Sequence, residues 1–90
     1  MLIFPVQLTH DLAEPAFREL KPQLLAQTGG VVVADAGALV TFDSSALAVL
    51  LACRREALAA GKTFSVLALP ARLRQLAGLY GVEELLPVAT

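Results

Sequence analysis

Apolar residues recur at intervals of three and four between residues 45 and 60, which is the spacing of an amphipathic helix. The pattern begins directly after Asp43 and Ser44 and stops before Gly61. Aspartate and serine are favoured at helix N-termini, and glycine is favoured just after a helix ends. The sequence therefore predicts a central helix, and one apolar face of it holds Ala46, Leu50, Cys53 and Ala57.

The central helix carries more apolar surface than one core-facing stripe requires. Leu47, Leu51 and Leu58 form a second apolar stripe beside the first. An ordinary surface helix has one such stripe and an opposite polar face. Two interpretations remain open at this point: the second stripe is another core face, or it is a contact surface for a second protein.

The N-terminal third of the chain reads as a short extended segment followed by a helix. Residues 3–8 form the extended segment, and a helical pattern then continues up to Gly29. Pro15 falls in what we take to be the first turn, where the missing N–H costs little. Pro22 lies inside the pattern, so we expect the helix to kink or divide at residues 18–21.

Two further strands and a third helix complete the pattern. Residues 31–34 form a β-branched run without alternation, which favours a parallel strand covered on both faces. Residues 63–69 form the next strand, and Pro70 begins a helix. Strands joined by helices predict an α/β fold with a small, mostly parallel sheet. In the third helix we expect these apolar residues to point inward: Leu73, Leu76, Leu79 and Tyr80.

Composition changes this picture in one respect. Hydrophobic residues make up 57% of the chain, whereas about 45–50% is usual even when glycine is counted. No run of about 20 mainly apolar residues is present, so we expect no membrane insertion. The excess indicates a surface that is buried against a partner. The formal net charge of −1, with dispersed basic residues, argues against nucleic acid as that partner.

Candidate catalytic chemistry is sparse. Cys53 is the only cysteine, and its place in a helical apolar stripe predicts a buried structural thiol. His10 stands alone, and no glycine-rich phosphate loop or cluster of metal-ligating residues occurs. We therefore expect no enzymatic activity, no cofactor and no metal site.

The loop before the central helix is the most distinctive local feature. The free N–H groups and the positive dipole end of the helix point at it. Ser44 is therefore placed either to cap the helix or to receive a phosphate or a partner. For Asp43 we favour a hydrogen bond that closes the loop over a cation-binding role.

The chain resembles the STAS domain, the fold of bacterial anti-sigma factor antagonists and of sulfate-transporter tails. The resemblance spans residues 9–87 and rests on VVVAD, on VTFDSSALAVLL and on REALAAGKTFSVLALPARLRQLAGLYGVEELLP. It implies that Ser44 corresponds to a serine or threonine that is phosphorylated in the sigma-regulating members. It also implies that residues 1–90 form one STAS-like domain.

Within that family, the ending LAGLYGVEELLP is similar to the MlaB type. The similarity implies a non-enzymatic accessory subunit that binds the cytoplasmic ATPase of an Mla-type phospholipid-transport ABC complex. It would lie in the cytoplasm, peripheral to the inner membrane through that complex. The alternative is an anti-sigma factor antagonist, whose partner is an anti-sigma factor kinase and which is regulated by phosphorylation of Ser44.

The apolar excess beside a loop of small residues predicts where a partner binds. We expect the surface to be centred on the N-terminal half of the central helix and the loop before it, with two arginines at its rim. Flanking leucines would supply a desolvated anchor there. The predicted partner-binding residues are Asp43, Ser44, Ser45, Leu47, Ala48, Leu51, Arg54 and Arg55.

Overall fold

The structure is a computed structural model that describes residues 1–89. Strands and helices alternate along those residues. In chain order they are β1 (Leu2–Ile3), β2 (Gln7–Leu8), α1 (His10–Ala26), β3 (Val31–Asp35), β4 (Thr41–Phe42), α2 (Ser45–Ala59), β5 (Thr63–Leu67), α3 (Ala71–Leu79) and a 3-10 turn at Glu83–Leu85.

The main sheet is parallel and has the strand order β1-β3-β5. Leu2 pairs with Ala34 in β3, and Val66 in β5 pairs with the same Ala34 from the other side. Val88 adds a parallel bridge to Val66 at the outer edge of β5. The predicted α/β class with a mostly parallel sheet is confirmed.

A second, two-stranded parallel sheet joins β2 to β4, with Gln7 beside Thr41 and Leu8 beside Phe42. The sequence pattern predicts one extended segment over residues 3–8 and gives no sign of β4. The segment is divided because Phe4 still bonds to β3, whereas the carbonyl of Val6 accepts hydrogen bonds from the residues leading into β4. Strand β4 of this second sheet ends two residues before α2 begins, so the sheet sets where that helix starts.

The main sheet is closely covered on one face only. Val32 and Ala34 in β3 are fully buried, as is Val66 in β5, but the residues between them are half-buried and Val31 is 58% exposed. The expectation that β3 is covered on both faces is therefore wrong. β-Branched residues favour strands whether one face or both are covered, so the run of valines does not distinguish the two cases.

Helix α1 runs without a break through both Pro15 and Pro22. Of the two expected outcomes, a kink or a division at residues 18–21, the division is wrong, and Pro15 lies beyond the first turn because the helix already begins at His10. Packing supplies the reason. α1 lies along α2 and buries Leu20 and Leu24, and this tertiary contact outweighs the local cost of proline.

Helix α2 has the predicted core face. Ala46, Leu50, Cys53 and Ala57 are all fully buried. The helix ends at Ala59, and Gly61 has φ of 76°, the left-handed conformation that glycine adopts after a helix. These features confirm the central helix as predicted.

Two boundaries in the C-terminal third differ from the expectation. Strand β5 ends at Leu67 rather than residue 69, because Ala68 turns into the left-handed region with φ of 57°. In α3 only Leu73 and Ala77 are fully buried, whereas Leu79 is 78% and Tyr80 57% exposed. The expectation that both of the latter point inward is wrong, since the nine-residue helix presents one narrow stripe to the core.

Candidate partner-binding site

The loop before α2 is fixed to both helices by one carboxylate. Asp43 Oδ1 accepts a hydrogen bond of 2.8 Å from the Ser45 N–H, and Asp43 Oδ2 accepts one of 3.0 Å from the His10 N–H. Thr9, at the N-cap of α1, makes no capping bond with its own side chain. Asp43 therefore caps the first turns of both α1 and α2, which confirms a loop-closing role for it.

Asp43 is held in its charged form. The Ser45 N–H donates to the carboxylate and lowers the pKa of Asp43 below its usual value, and the His10 N–H adds to this effect. A carboxylate beside two helix N-termini is favoured by both dipoles. The loop therefore carries a fixed negative charge at Asp43, and this charge repels an anion that approaches the same point.

Ser44 is left available by this arrangement. It occupies the N-cap position of α2 with φ −61° and ψ −17°, and its side chain makes no capping hydrogen bond. It is exposed. A plain capping role for the hydroxyl is not what the structure shows, because Asp43 performs the capping.

The outward face of α2 continues from Ser44 with small and apolar residues. Ala48, Leu51 and Arg55 follow Ser44 at intervals of four, three and four, so they lie on one side of the helix. Ala48 and Arg55 are exposed, and Leu51 is partly buried against the core. The face therefore carries no charge from Ser44 to Leu51.

The remaining predicted site residues lie around this face. Ser45 and Arg54 are half-buried, whereas Leu47 is only 3% exposed and belongs to the core. Leu47 is thus not part of the exposed surface, because its direction on α2 falls toward the interior. The second apolar stripe divides accordingly: Leu47 packs inside, Leu51 is intermediate and Leu58 is 45% exposed.

Helix α3 brings to the site a side chain, that of Arg72, which the sequence pattern does not predict there. The Cζ atom of Arg72 lies 5.9 Å from the centroid of the Phe42 ring, a cation–π distance. Phe42 directly precedes Asp43. Arg72 comes 29 positions after Asp43, so no local sequence signal joins them; only the packing of α3 does.

Cys53 and His10 lie in different surroundings. Cys53 is fully buried, as predicted, and burial raises the pKa of its thiol to about 12. His10 approaches the loop through its backbone N–H, while its residue is exposed. Within residues 1–89, no hydrogen bond joins the imidazole to Ser44 or Ser45.

A family model described as "Mlab, STAS domain" matches residues 5–87. The chain belongs to the MlaB-type STAS domain family. A search of curated proteins found no match. The resemblance drawn from the sequence is confirmed over nearly the whole chain, and domains of this family are generally not enzymes. Among residues 1–89, no helix has both the length and the apolar character needed to span a bilayer.

Proposed function

We propose that this protein is a non-enzymatic accessory subunit. It binds the cytoplasmic ATPase of an Mla-type phospholipid-transport ABC complex and supports the assembly or activity of that complex. Family membership supports the proposal, and the observation that carries it is the exposed face of α2 beside the rigid Asp43 loop. The protein would lie in the cytoplasm and be peripheral to the inner membrane through this contact.

The shape of the face suits docking of another protein. Ser44 and Ala48 are exposed and small, so they allow a partner backbone to approach closely. Leu51 supplies a partly exposed apolar group at the centre, where a partner can remove it from water. Because Asp43 already fixes the loop, little conformational freedom is lost on binding.

A matched pair of alanines in α2 tests the position of the surface. Ala48 and Ala59 are both exposed in the same helix and lie eleven residues apart, about 16 Å along the axis. Ala48→Gln should weaken binding to the purified ATPase about tenfold or more, because a long polar side chain then stands on the contact face. Ala59→Gln should bind as the wild type does. Glutamine is neutral and forms helices well, so neither change should alter folding by more than about 0.5 kcal/mol.

The substitution Ser44→Glu is a second test of ATPase binding at the same site. A negative charge at a helix N-terminus should be neutral or stabilising by about 0.3–1 kcal/mol. We expect the variant to keep the thermal midpoint of the wild type and to lose the ATPase in co-purification. Wild-type affinity in both Ala48→Gln and Ser44→Glu would show that the ATPase binds elsewhere on the chain.

One observation favours the second candidate, an anti-sigma factor antagonist switched by phosphorylation. The Ser44 hydroxyl is exposed at a helix N-terminus and is not used as a cap. A phosphate there would be favoured by the helix dipole and opposed by the charge of Asp43. Incubation with ATP and the anti-sigma factor kinase of the same organism would add one phosphate to the wild type and none to Ser44→Ala, as read by intact mass. No added mass would dismiss this candidate.

A further inference from the structure

The main sheet has one face that the helices leave open. The strand register joins the outward residues of β1, β3 and β5 into three adjoining rows. From the carboxyl end of the sheet, the rows are Ile3, Asp35 and Leu67, then Val33 and Ser65, then Val31 and Thr63. All seven are half-buried or exposed, whereas the residues between them in β3 and β5 are buried. We call these seven residues the open face.

An open face is unusual for a parallel sheet. Sheets of this kind occur almost only where both faces are covered. The Cα atoms of this chain span 30 × 26 × 19 Å, and the shortest extent fits one layer of helices packed on one sheet. The third layer that parallel sheets normally have is thus missing among residues 1–89.

The open face is aliphatic and carries little charge. Ile3 is 55% and Val31 58% exposed, and Asp35 is the one ionisable side chain among the seven residues. Lys62 precedes Thr63, but its ammonium group donates to the carbonyl of Gln27. Rows of short aliphatic and hydroxyl side chains on a pleated surface are suited to packing on a second sheet.

The charge of Asp35 limits how two copies of this face can meet. A twofold axis between two identical sheets can run along the strands or across them. An axis along β3 would place each Asp35 carboxylate directly over its own copy, which is unfavourable. An axis across the strands at Val33 places Asp35 of each copy over Val31 and beside Thr63 of the other. The two carboxylates are then about 13 Å apart along the strand direction, beyond the Debye length of about 8 Å at physiological salt.

We infer that a second copy of this chain covers the open face, sheet on sheet, with the strands of the two copies antiparallel about a twofold axis at Val33. The hydroxyl of Thr63 then offers a hydrogen-bond donor to Asp35 of the other copy. The inference does not rest on the proposed function. Because α2 packs on the opposite face of the sheet, its exposed side stays free in the dimer.

The size of the open face sets the strength of this dimer. Three strands and the bridge at Val88 make the sheet about 19 Å wide, and five residues make it about 16 Å long. The footprint is therefore about 300 Å² per copy before the relief of the side chains is counted. Standard interfaces bury about 800 Å² per partner, so we expect a weak, reversible dimer with a dissociation constant on the order of 10–100 μM.

Sedimentation velocity of the purified chain, from about 5 to about 500 μM, tests the dimer. The weight-average mass should rise with concentration from 9.5 kDa toward twice that value. A constant mass of 9.5 kDa over the whole range would overturn the inference.

Two substitutions at Val31 test the position and the direction of the second copy. Val31→Glu puts a carboxylate opposite Asp35 at two symmetric places, so the dissociation constant should rise about tenfold or more. Val31→Lys puts an ammonium group there and should dimerise at least about tenfold more tightly than Val31→Glu at about 50 mM salt. Both changes replace an exposed valine in a strand by a residue of lower strand propensity, so a difference between them does not come from folding.

Val40 supplies the matched control. It is a 73% exposed valine in the segment before β4, outside the open face. Val40→Glu and Val40→Lys should dimerise within about twofold of the wild type. Equal losses in Val31→Glu and Val40→Glu would overturn the inference, since net charge alone would then explain them.

Asp35→Asn isolates the charge pair across the interface. Asp35 Oδ1 accepts a hydrogen bond of 2.9 Å from the Gly37 N–H, and the amide oxygen of asparagine can accept the same bond. When combined with Asp35→Asn, Val31→Glu and Val31→Lys should differ by less than about twofold. The inferred arrangement would be overturned if the tenfold difference persisted there, or if Val31→Lys alone dimerised as weakly as Val31→Glu.

Discussion

Asp43 is the residue on which the geometry of the candidate site depends most directly. It joins two backbone N–H groups that are 33 and two residues away along the chain, and so holds the starts of α1 and α2 together. Both bonds require the carboxylate oxygens, and the charged form accepts them best. Ser44 is presented at a fixed place because its neighbour is fixed.

We expect Asp43→Ala to destabilise the fold, because it removes the caps of two helices at once. The pKa of Asp43 is lowered in the folded state, so its contribution is fully present above about pH 4. That contribution is lost as the pH falls below the unfolded value of 3.8 and through the lower folded value. The gap in free energy of unfolding between wild type and variant, measured in urea, should therefore be largest near neutral pH and narrow in acid.

Asp11→Ala serves as the comparison for Asp43→Ala. Asp11 also lies in the first turn of α1, but it is exposed and no hydrogen bond to its side chain is present within residues 1–89. Its loss should cost about 0.3–1 kcal/mol, the usual effect of a charge at a helix N-terminus. If the two variants behaved alike across the pH range, Asp43 would not be the cap of both helices.

Helix α1 shows how an element can keep a form that its own sequence disfavours. Pro22 lies in its interior and cannot donate a hydrogen bond to the carbonyl of Arg18. The helix nevertheless continues to Ala26, because Leu20 and Leu24 pack into the core and Lys21 lies 3.5 Å from Glu56 of α2. Contacts between α1 and α2 therefore offset the unfavourable free energy of placing Pro22 inside the helix.

Pro22→Ala should therefore stabilise the protein. Alanine is about 3 kcal/mol better than proline inside a helix, and part of this is offset by the greater freedom of the unfolded chain. We expect a net gain of about 1–2 kcal/mol in thermal or urea unfolding. Pro70→Ala, at the N-cap of α3, should instead lose about 0.4–1 kcal/mol. A lower midpoint for Pro22→Ala would mean that the proline is not inside a regular helix.

At the scale of the whole molecule, the C-terminal segment completes the sheet. The Val66 N–H donates to the carbonyl of Pro87 at 2.8 Å, and the Ala89 N–H donates to that of Val66 at 2.9 Å. Leu86, just before this segment, is fully buried in the core. Residues 87–89 are thus part of the fold, and they cover the edge of β5.

Alanine substitutions at two adjacent leucines, Leu85 and Leu86, test how much of the stability of the fold depends on this segment. Leu86→Ala should cost about 2–5 kcal/mol, the range for emptying a buried leucine site, out of a total stability of about 5–15 kcal/mol. Leu85 is 36% exposed, and Leu85→Ala should cost about 1 kcal/mol or less. Equal effects in urea unfolding would show that the segment does not pack as described.

The sequence by itself determined the features that depend on neighbours within a few residues. Helical spacing identified the core face of α2, and Gly61 marked its end, since periodicity and capping are local properties. The alternation of strands and helices was enough for the parallel α/β class. The motif after Asp43, with the C-terminal ending, was enough for the family.

Only the tertiary structure decided which elements meet. It placed Asp43 at the start of α1, Arg72 on Phe42 and Leu47 in the core, and it left Val31 largely exposed. Each outcome depends on residues far apart in the chain, whose approach is set by how the helices pack on the sheet. A local pattern gives the side of a helix that is apolar, but what lies against that side is a property of the whole fold.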